Sequence, residues 1–203
     1  MAQHFVNRDP ADPAFWSERF EQQFTPWDRG GVQQDLRDFV AHAERPLTSL
    51  IPGCGNGYEV ALLARAGWNV TAIDFSPVAV ASARATIGRW GKHVVEADFF
   101  NYLPAAPLDL IFERAFFCAL PPAMRQAIVL RWADLLAPGA WLAGYFFFEE
   151  SSDAGKKGPP FSIRKQQFFD LMNAHFVLQM EKEVNDSVGI FQGKERWQLW
   201  QKK

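Results

Sequence analysis

The chain has 203 residues, with 21 Lys+Arg, 23 Asp+Glu and a formal net charge of −2, which fits one domain able to bury a full core without disulfides or structural metal. Balanced charge offers no general attraction to phosphate backbones, Met1 to Pro10 lacks the apolar stretch of a signal peptide, and the longest apolar run, Ala137 to Phe148, is too short to span a bilayer. Nucleic acid and membrane are therefore not expected partners, and two cysteines, Cys54 and Cys118, make no disulfide framework, which fits a reducing cytoplasm.

The predicted elements begin with a short helix after Pro13, on which Phe15, Trp16, Arg19, Phe20 and Phe24 form a mixed aromatic face. Pro26 and the Gly30-Gly31 pair break it. A second helix is predicted from Val32 to Glu44, with Val32, Leu36, Phe39 and Val40 on one side. Residues 1–46 thus read as an N-terminal helical cap on a core running from 47 to 203, within one domain.

From Leu47 the pattern alternates. Strands are predicted at Leu47 to Ile51, Asn69 to Ile73, His93 to Glu96, Leu108 to Phe112 and Ala140 to Phe148. Helices are predicted between them at Tyr58 to Ala66, from Ser76 as N-cap with Pro77 in the first turn to Gly88, and from Pro122 to Leu136. Ser151 to Pro160 reads as a solvated loop, followed by a helix near Arg164 to Asn173. Two last strands, Phe176 to Lys182 and Lys194 to Trp200, have no room for a helix between them and must pair as a hairpin. The fold class is α/β, a doubly wound seven-stranded sheet ending in an antiparallel hairpin.

Four motifs fall at strand ends, where open α/β sheets bind ligands. Gly53-Cys54-Gly55-Asn56-Gly57 joins the first strand to its helix, and Gly53, Gly55 and Gly57 let backbone turn tightly and approach a ligand. The spacing is not the Gly-x-Gly-x-x-Gly of pyrophosphate binding. Asp74 ends the second strand, placed to accept both hydroxyls of an adenosine ribose. Asp98 follows the third strand and could bond an adenine amine, with Phe75 or Phe99 on the ring face. Together these fit S-adenosylmethionine, which carries adenosine without a pyrophosphate. Glu113-Arg114 follows the fourth strand; Arg114 could hold an anion or bond a backbone carbonyl, and Glu113 is a candidate base. Cys54 and Cys118 have no histidine in local register and read as packing residues. His4, His42, His93 and His175 make no ligand spacing, so no metal is expected.

Trp16 with Thr25-Pro-Trp27-Asp, Ile51 to Tyr58, Asp74 to Val80, Asp98 to Phe100, Asp109 to Phe112, Phe116 to Pro122 and Gly158 to Phe161 resemble, in this order, the thiopurine S-methyltransferase family with its halide and thiol methyltransferases. The resemblance spans Trp16 to Trp200. It implies a class I methyltransferase (Rossmann-like) fold, S-adenosylmethionine as donor and a small sulfur or halide nucleophile as acceptor. Trp16, Phe20 and Trp27 would then contact the cofactor from the cap, with Gly53 and Gly55 along its methionine part. Asp74 would hold the ribose, Asp98 and Phe99 would border the adenine, and Arg114 would lie beside the cofactor and assist the acceptor anion. Arg114 is the thiopurine-type residue, whereas Phe-Phe-Cys-Ala-Leu-Pro resembles the halide and thiol branch, so a thiopurine or aryl-thiol acceptor is the alternative. A nicotinamide-dependent oxidoreductase and a non-catalytic cofactor-binding module are the distant rivals. The expected partner is a small molecule, the chain itself acting as a monomer or weak homo-oligomer.

Overall fold

A computed structural model describes residues 4–150 and 158–203. Helix α1 spans Pro13–Glu21, opened by the Asp12 side chain accepting from the Ala14 N–H at 2.8 Å, and α2 spans Gln34–Ala41. The predicted second helix is shorter than expected at both ends. Gln33 is extended because its side chain is buried toward Glu195 rather than turned along a helix face.

The core runs β1 (Thr48–Pro52), α3 (Tyr58–Arg65), β2 (Asn69–Asp74), α4 (Pro77–Ile87), β3 (Val94–Glu96), β4 (Leu108–Arg114), α5 (Arg125–Leu135), β5 (Leu136–Phe147), α6 (Lys165–Met172), β6 (Phe176–Glu183) and β7 (Glu195–Lys202). Ser76 caps α4 by accepting from Ala79 N–H at 3.1 Å. A 3-10 turn from Gly88 to His93 replaces the start of the predicted third strand. There Gly91 packs so closely on Arg84 that an added Cβ would lie 3.0 Å from its Cα. Leu136, expected as the last helical residue, instead opens β5 opposite Leu108. Phe148, expected in that strand, makes only an isolated bridge to Ile163.

The seven strands lie in the order β3-β2-β1-β4-β5-β7-β6, with β1 to β5 parallel and β7 antiparallel to both β5 and β6. Successive residues point to opposite faces. Leu50, Ile111, Leu142 and Phe146 therefore enter one core with Trp132, Phe168 and Trp200. Ile51, Leu110, Phe112 and Tyr145 enter the other with Val60, Val80 and Trp197. Helix α2 belongs to this second core, Leu36 being fully buried and its N–H donating to Tyr145 Oη at 3.2 Å. Among the described residues no helix is long and apolar enough to cross a membrane.

The chain order reverses between β1 and β4, which opens a crevice above their carboxyl ends. Helix α1 packs on α4 across it, where Ser17 Oγ and Ser76 Oγ are 2.9 Å apart.

Candidate active site

The crevice is a cleft of about 1520 Å³ whose floor is the β1–α3 loop and the ends of β2 and β4. Its roof is aromatic. Trp27 meets Trp16 edge-on at 5.4 Å between ring centroids and Phe20 at 6.1 Å, and Trp16 Nε1 is fixed by donating to the Pro10 carbonyl at 2.8 Å. Trp16, Phe20, Trp27, Gly53, Gly55, Asp74, Phe75, Asp98, Phe99 and Arg114 all line this one space. Gly57 does not. It starts α3 at φ +71°, facing Ala83 and Ile87 of α4, where a Cβ would stand 3.4 Å from each. Its role is the close approach of two helices.

At the floor, Gly53 and Gly55 have φ of +59° and +51°, backbone that side chains rarely adopt. A Cβ on Gly53 would meet Phe116 Cδ2 at 2.7 Å, and one on Gly55 would face Phe20 at 3.8 Å. Asp74 is buried, its carboxylate accepting from Ser76 N–H at 3.0 Å and Gly55 N–H at 3.3 Å. Burial nevertheless pushes its acid up to about 6 from 3.8. Asp28 of the cap accepts from Asn56 Nδ2 and, at 3.3 Å, from Tyr58 Oη, tying cap to glycine loop. Asn56 Oδ1 in turn accepts from Ser82 Oγ.

Asp98 is exposed and its carboxylate turns back on its own loop, accepting from Phe100 N–H at 3.1 Å and from Asn101 Nδ2. Two hydrogen bonds leave carboxylate lone pairs unused. Phe99 is buried beneath the cleft, edge-on to Phe116 at 5.0 Å. Phe117, the next residue along from Phe116, is a core residue stacked on Trp132 at 5.6 Å. The end of the loop expected to be solvated, Gly158 to Pro160, lines the cleft beside Phe161, while residues 151–157 lie outside the described residues.

Glu113 and Arg114 are the last residues of β4, not a loop beyond it, and pair with Gly144 and Tyr145. Alternation then sends them to different surroundings. Arg114 reaches the cleft, where its guanidinium donates to Gln33 Oε1 and to the Trp27 carbonyl at 3.2 Å. Gln33 Nε2 continues to Glu195 at 3.4 Å. Arg114 thus bonds a backbone carbonyl, one of the two roles its position suggests, and holds the cap.

Glu113 is away from the cleft wall, buried, and its Oε1 accepts from Phe116 and Phe117 N–H at 2.8 and 2.9 Å. Among the described residues its Oε2 has no hydrogen-bond partner, and burial drives the acid up to about 8 from 4.5. It clamps the loop after β4 and is no base for the cleft. Because the folded acid keeps a proton that the unfolded chain releases, it makes stability fall as pH rises from about 4.5 toward 8. Glu113→Gln keeps the acceptor and removes the charge. Its melting temperature should match wild type near pH 5 and exceed it at pH 9 by several degrees, at roughly 2–4 °C per kcal/mol. A constant offset across a calorimetric pH series would contradict this clamp.

Cys54 and Cys118 also border the cleft, both buried, and desolvation raises both thiols well above their ordinary range. They stay protonated and are poor nucleophiles. Among the described residues no three His, Cys, Asp or Glu are grouped to hold a metal ion. Sequence reasoning missed Glu59, Gln33 and Glu195. All three are buried polar groups, and nothing in their local pattern separates them from surface positions.

A parallel sheet with a reversed last hairpin and a capped cleft at its switch point is the architecture of the class I methyltransferase fold. Its architecture is similar to a 1,6-didemethyltoxoflavin N1-methyltransferase of Burkholderia thailandensis solved with S-adenosylhomocysteine (TM-score 0.72, 17% identity, covering 99% of this chain and 93% of that one). It is also similar to a TehB-like methyltransferase of Corynebacterium glutamicum (TM-score 0.68, 20% identity, 95% and 100% covered). Within that class, the profile of the thiopurine S-methyltransferase (TPMT) family matches residues 11–203, and the chain belongs to that family. Thiocyanate methyltransferase 1 of Arabidopsis thaliana is 31% identical over 193 residues, covering 92% of this chain and 84% of that protein. The thiopurine S-methyltransferase of Shewanella piezotolerans is 25% identical over 189 residues, covering 82% and 84%.

Proposed function

We propose that the chain transfers a methyl group from S-adenosylmethionine to a small sulfur or halide nucleophile. One observation carries the reading: a buried carboxylate, a bare glycine loop and an aromatic roof converge on one cleft in a chain of this family. The residues fit the donor. Phe116 packs on Gly53 where a Cβ would stand, and the glycine leaves bare backbone at the cleft floor that a ligand can approach. Asp74 would take the ribose hydroxyls, Gly53 and Gly55 would run along the methionine part, and Phe75, Asp98 and Phe99 would border the adenine. Trp16, Phe20 and Trp27 would cover the sulfonium.

Bound there, S-adenosylmethionine supplies a methyl group already activated by positively charged sulfur. The chain's share of the work is alignment and exclusion of water. Aromatic faces above a cation add about 0.5–2 kcal/mol of attraction each. Arg114 would act on the acceptor. Thiocyanate, hydrosulfide and halides are anionic near neutrality, but an alkyl thiol with pKa of about 8.5 is only a few per cent ionised at pH 7 and gains from a nearby cation. Arg114→Ala should therefore lower turnover of high-pKa thiols about tenfold more than that of iodide. Equal losses in kcat/KM would remove the arginine from acceptor ionisation and leave it a cap residue.

A second reading, an aryl-thiol or thiopurine acceptor, has its own support. The cleft exceeds the roughly 300–1,000 Å³ common for small-molecule sites, and so has space beyond a donor and a small ion. The deciding experiment supplies labelled S-adenosylmethionine with iodide, thiocyanate, sulfide, an aryl thiol or a thiopurine and measures volatile and extractable methyl products. Volatile products alone support the first reading. Turnover of aromatic thiols alone supports the second, and no transfer to any acceptor overturns both.

A further inference from the structure

Arg125 opens α5, and its local surroundings count against an arginine there. A cation at a helix N-terminus opposes the helix dipole. Among the described residues no acid forms an ion pair with it. Its Nε is buried without a hydrogen-bond partner, and withdrawal from water lowers its pKa. A charge held at such cost needs an offset from elsewhere in the fold.

The offset is a segment 36 and 37 residues further on. Arg125 Nη2 donates to the Phe161 carbonyl at 3.3 Å and to the Ser162 carbonyl at 2.7 Å, and its guanidinium faces the Phe117 ring at 5.8 Å. The same segment is tied down on either side of this grip. Phe161 N–H donates to the Cys118 carbonyl at 2.6 Å, while Ile163 bridges to Phe148 and accepts from Glu149 N–H at 3.1 Å. The Phe161 ring rests on Gly158, where an added Cβ would lie 2.5 Å from it. Residues 158–161 line the cleft, whereas Arg125 stands behind them and does not.

Topology says which half of the cleft this wall bounds. The groups assigned to the donor follow β1, β2 and β3, whereas Phe161 and Ile163 are bonded to residues that follow β4 and β5, on the other side of β1 in the sheet. We propose that Arg125 is a positioning residue for the methyl acceptor, holding the wall of residues 158–161 against which the acceptor is lined up with the donor. The assignment rests on the methyltransferase reading above. In-line displacement tolerates little misplacement of the reacting atoms. A loosened wall should therefore cost acceptor recognition and leave the donor, bound over the other strands, in place.

Two measurements on the full chain test this. Hydrogen exchange reads the grip: in Arg125→Met the peptide containing Phe161 should exchange about tenfold faster than in wild type, with β1 to β3 unchanged. Steady-state kinetics reads its purpose, with S-adenosylmethionine and iodide, thiocyanate, sulfide, an aryl thiol or a thiopurine. For each acceptor that wild type methylates, Arg125→Met should raise KM about tenfold, with affinity for S-adenosylhomocysteine within about twofold of wild type. Arg125→Lys keeps N–H donors on a flexible stem. It should recover part of the loss, and it is judged by the same criteria should the methionine variant not fold. Unchanged exchange at Phe161, an acceptor KM close to wild type, or donor affinity lost in step with acceptor KM each overturns the proposal. Absence of methyl transfer by wild type to every acceptor would instead overturn the methyltransferase reading itself.

Discussion

Replacing Asp74 by asparagine is expected to weaken S-adenosylhomocysteine binding about 100-fold and to reduce methyl transfer at least as much. The carboxylate would accept two ribose hydroxyls while it already takes the Ser76 and Gly55 N–H groups, and hydrogen bonds to a charged acceptor are worth roughly 1.5–3 kcal/mol each. An amide offers one oxygen for all four donors and turns an NH₂ toward the rest. The wild-type site should also show a pH signature. Its acid stands at about 6 before ligand binds, and donors from the ribose favour the ionised form. Affinity should therefore fall about tenfold between pH 7 and pH 5, and Asp74→Asn should flatten that slope. Calorimetry across this range checks both, and a variant binding within threefold of wild type would remove Asp74 from the ribose site.

Gly144→Ala should produce the largest loss of stability. Gly144 lies in β5 opposite Glu113 of β4, and an added Cβ would sit 2.2 Å from the Glu113 carbonyl oxygen. Backbone oxygen cannot swing aside as a side chain can, so the two central strands must part. We expect a loss above about 4 kcal/mol in urea denaturation, or no soluble protein. Gly189→Ala, at a position with nothing within 4 Å and no left-handed backbone, is the control and should stay within about 0.5 kcal/mol. Comparable midpoints for the two variants would contradict this close approach. Any separation also displaces Glu113 and Arg114, so a partly folded Gly144→Ala should bind S-adenosylhomocysteine poorly.

Much of this architecture is written locally. Strand runs, the Ser76-Pro77 cap and the glycine loop are one-dimensional signals, and each produces the element expected from it. Asp74 was legible for the same reason, because its place at a strand end follows from the strand. The misreadings share a cause. Gly57 looks like its two loop neighbours, yet its helix-packing duty comes from Ala83 and Ile87, far along the chain. Glu113 resembles a base until its carboxyl is seen spent on two backbone N–H groups. Gln33, Glu59 and Glu195 have polar side chains that a local pattern assigns to solvent. Their burial is set by elements remote in sequence.

The tryptophans carry an optical consequence. Trp68, Trp132, Trp197 and Trp200 are sealed in the two cores, Trp90 and Trp141 are half-buried away from the cleft, and Trp16 and Trp27 alone stand over the opening. Most of the ultraviolet emission therefore comes from indoles blind to what enters the cleft. Any change of emission when the cleft fills is confined to the one edge-on pair at its mouth, which acts as a built-in gauge of occupancy distinct from the chromophores that report unfolding.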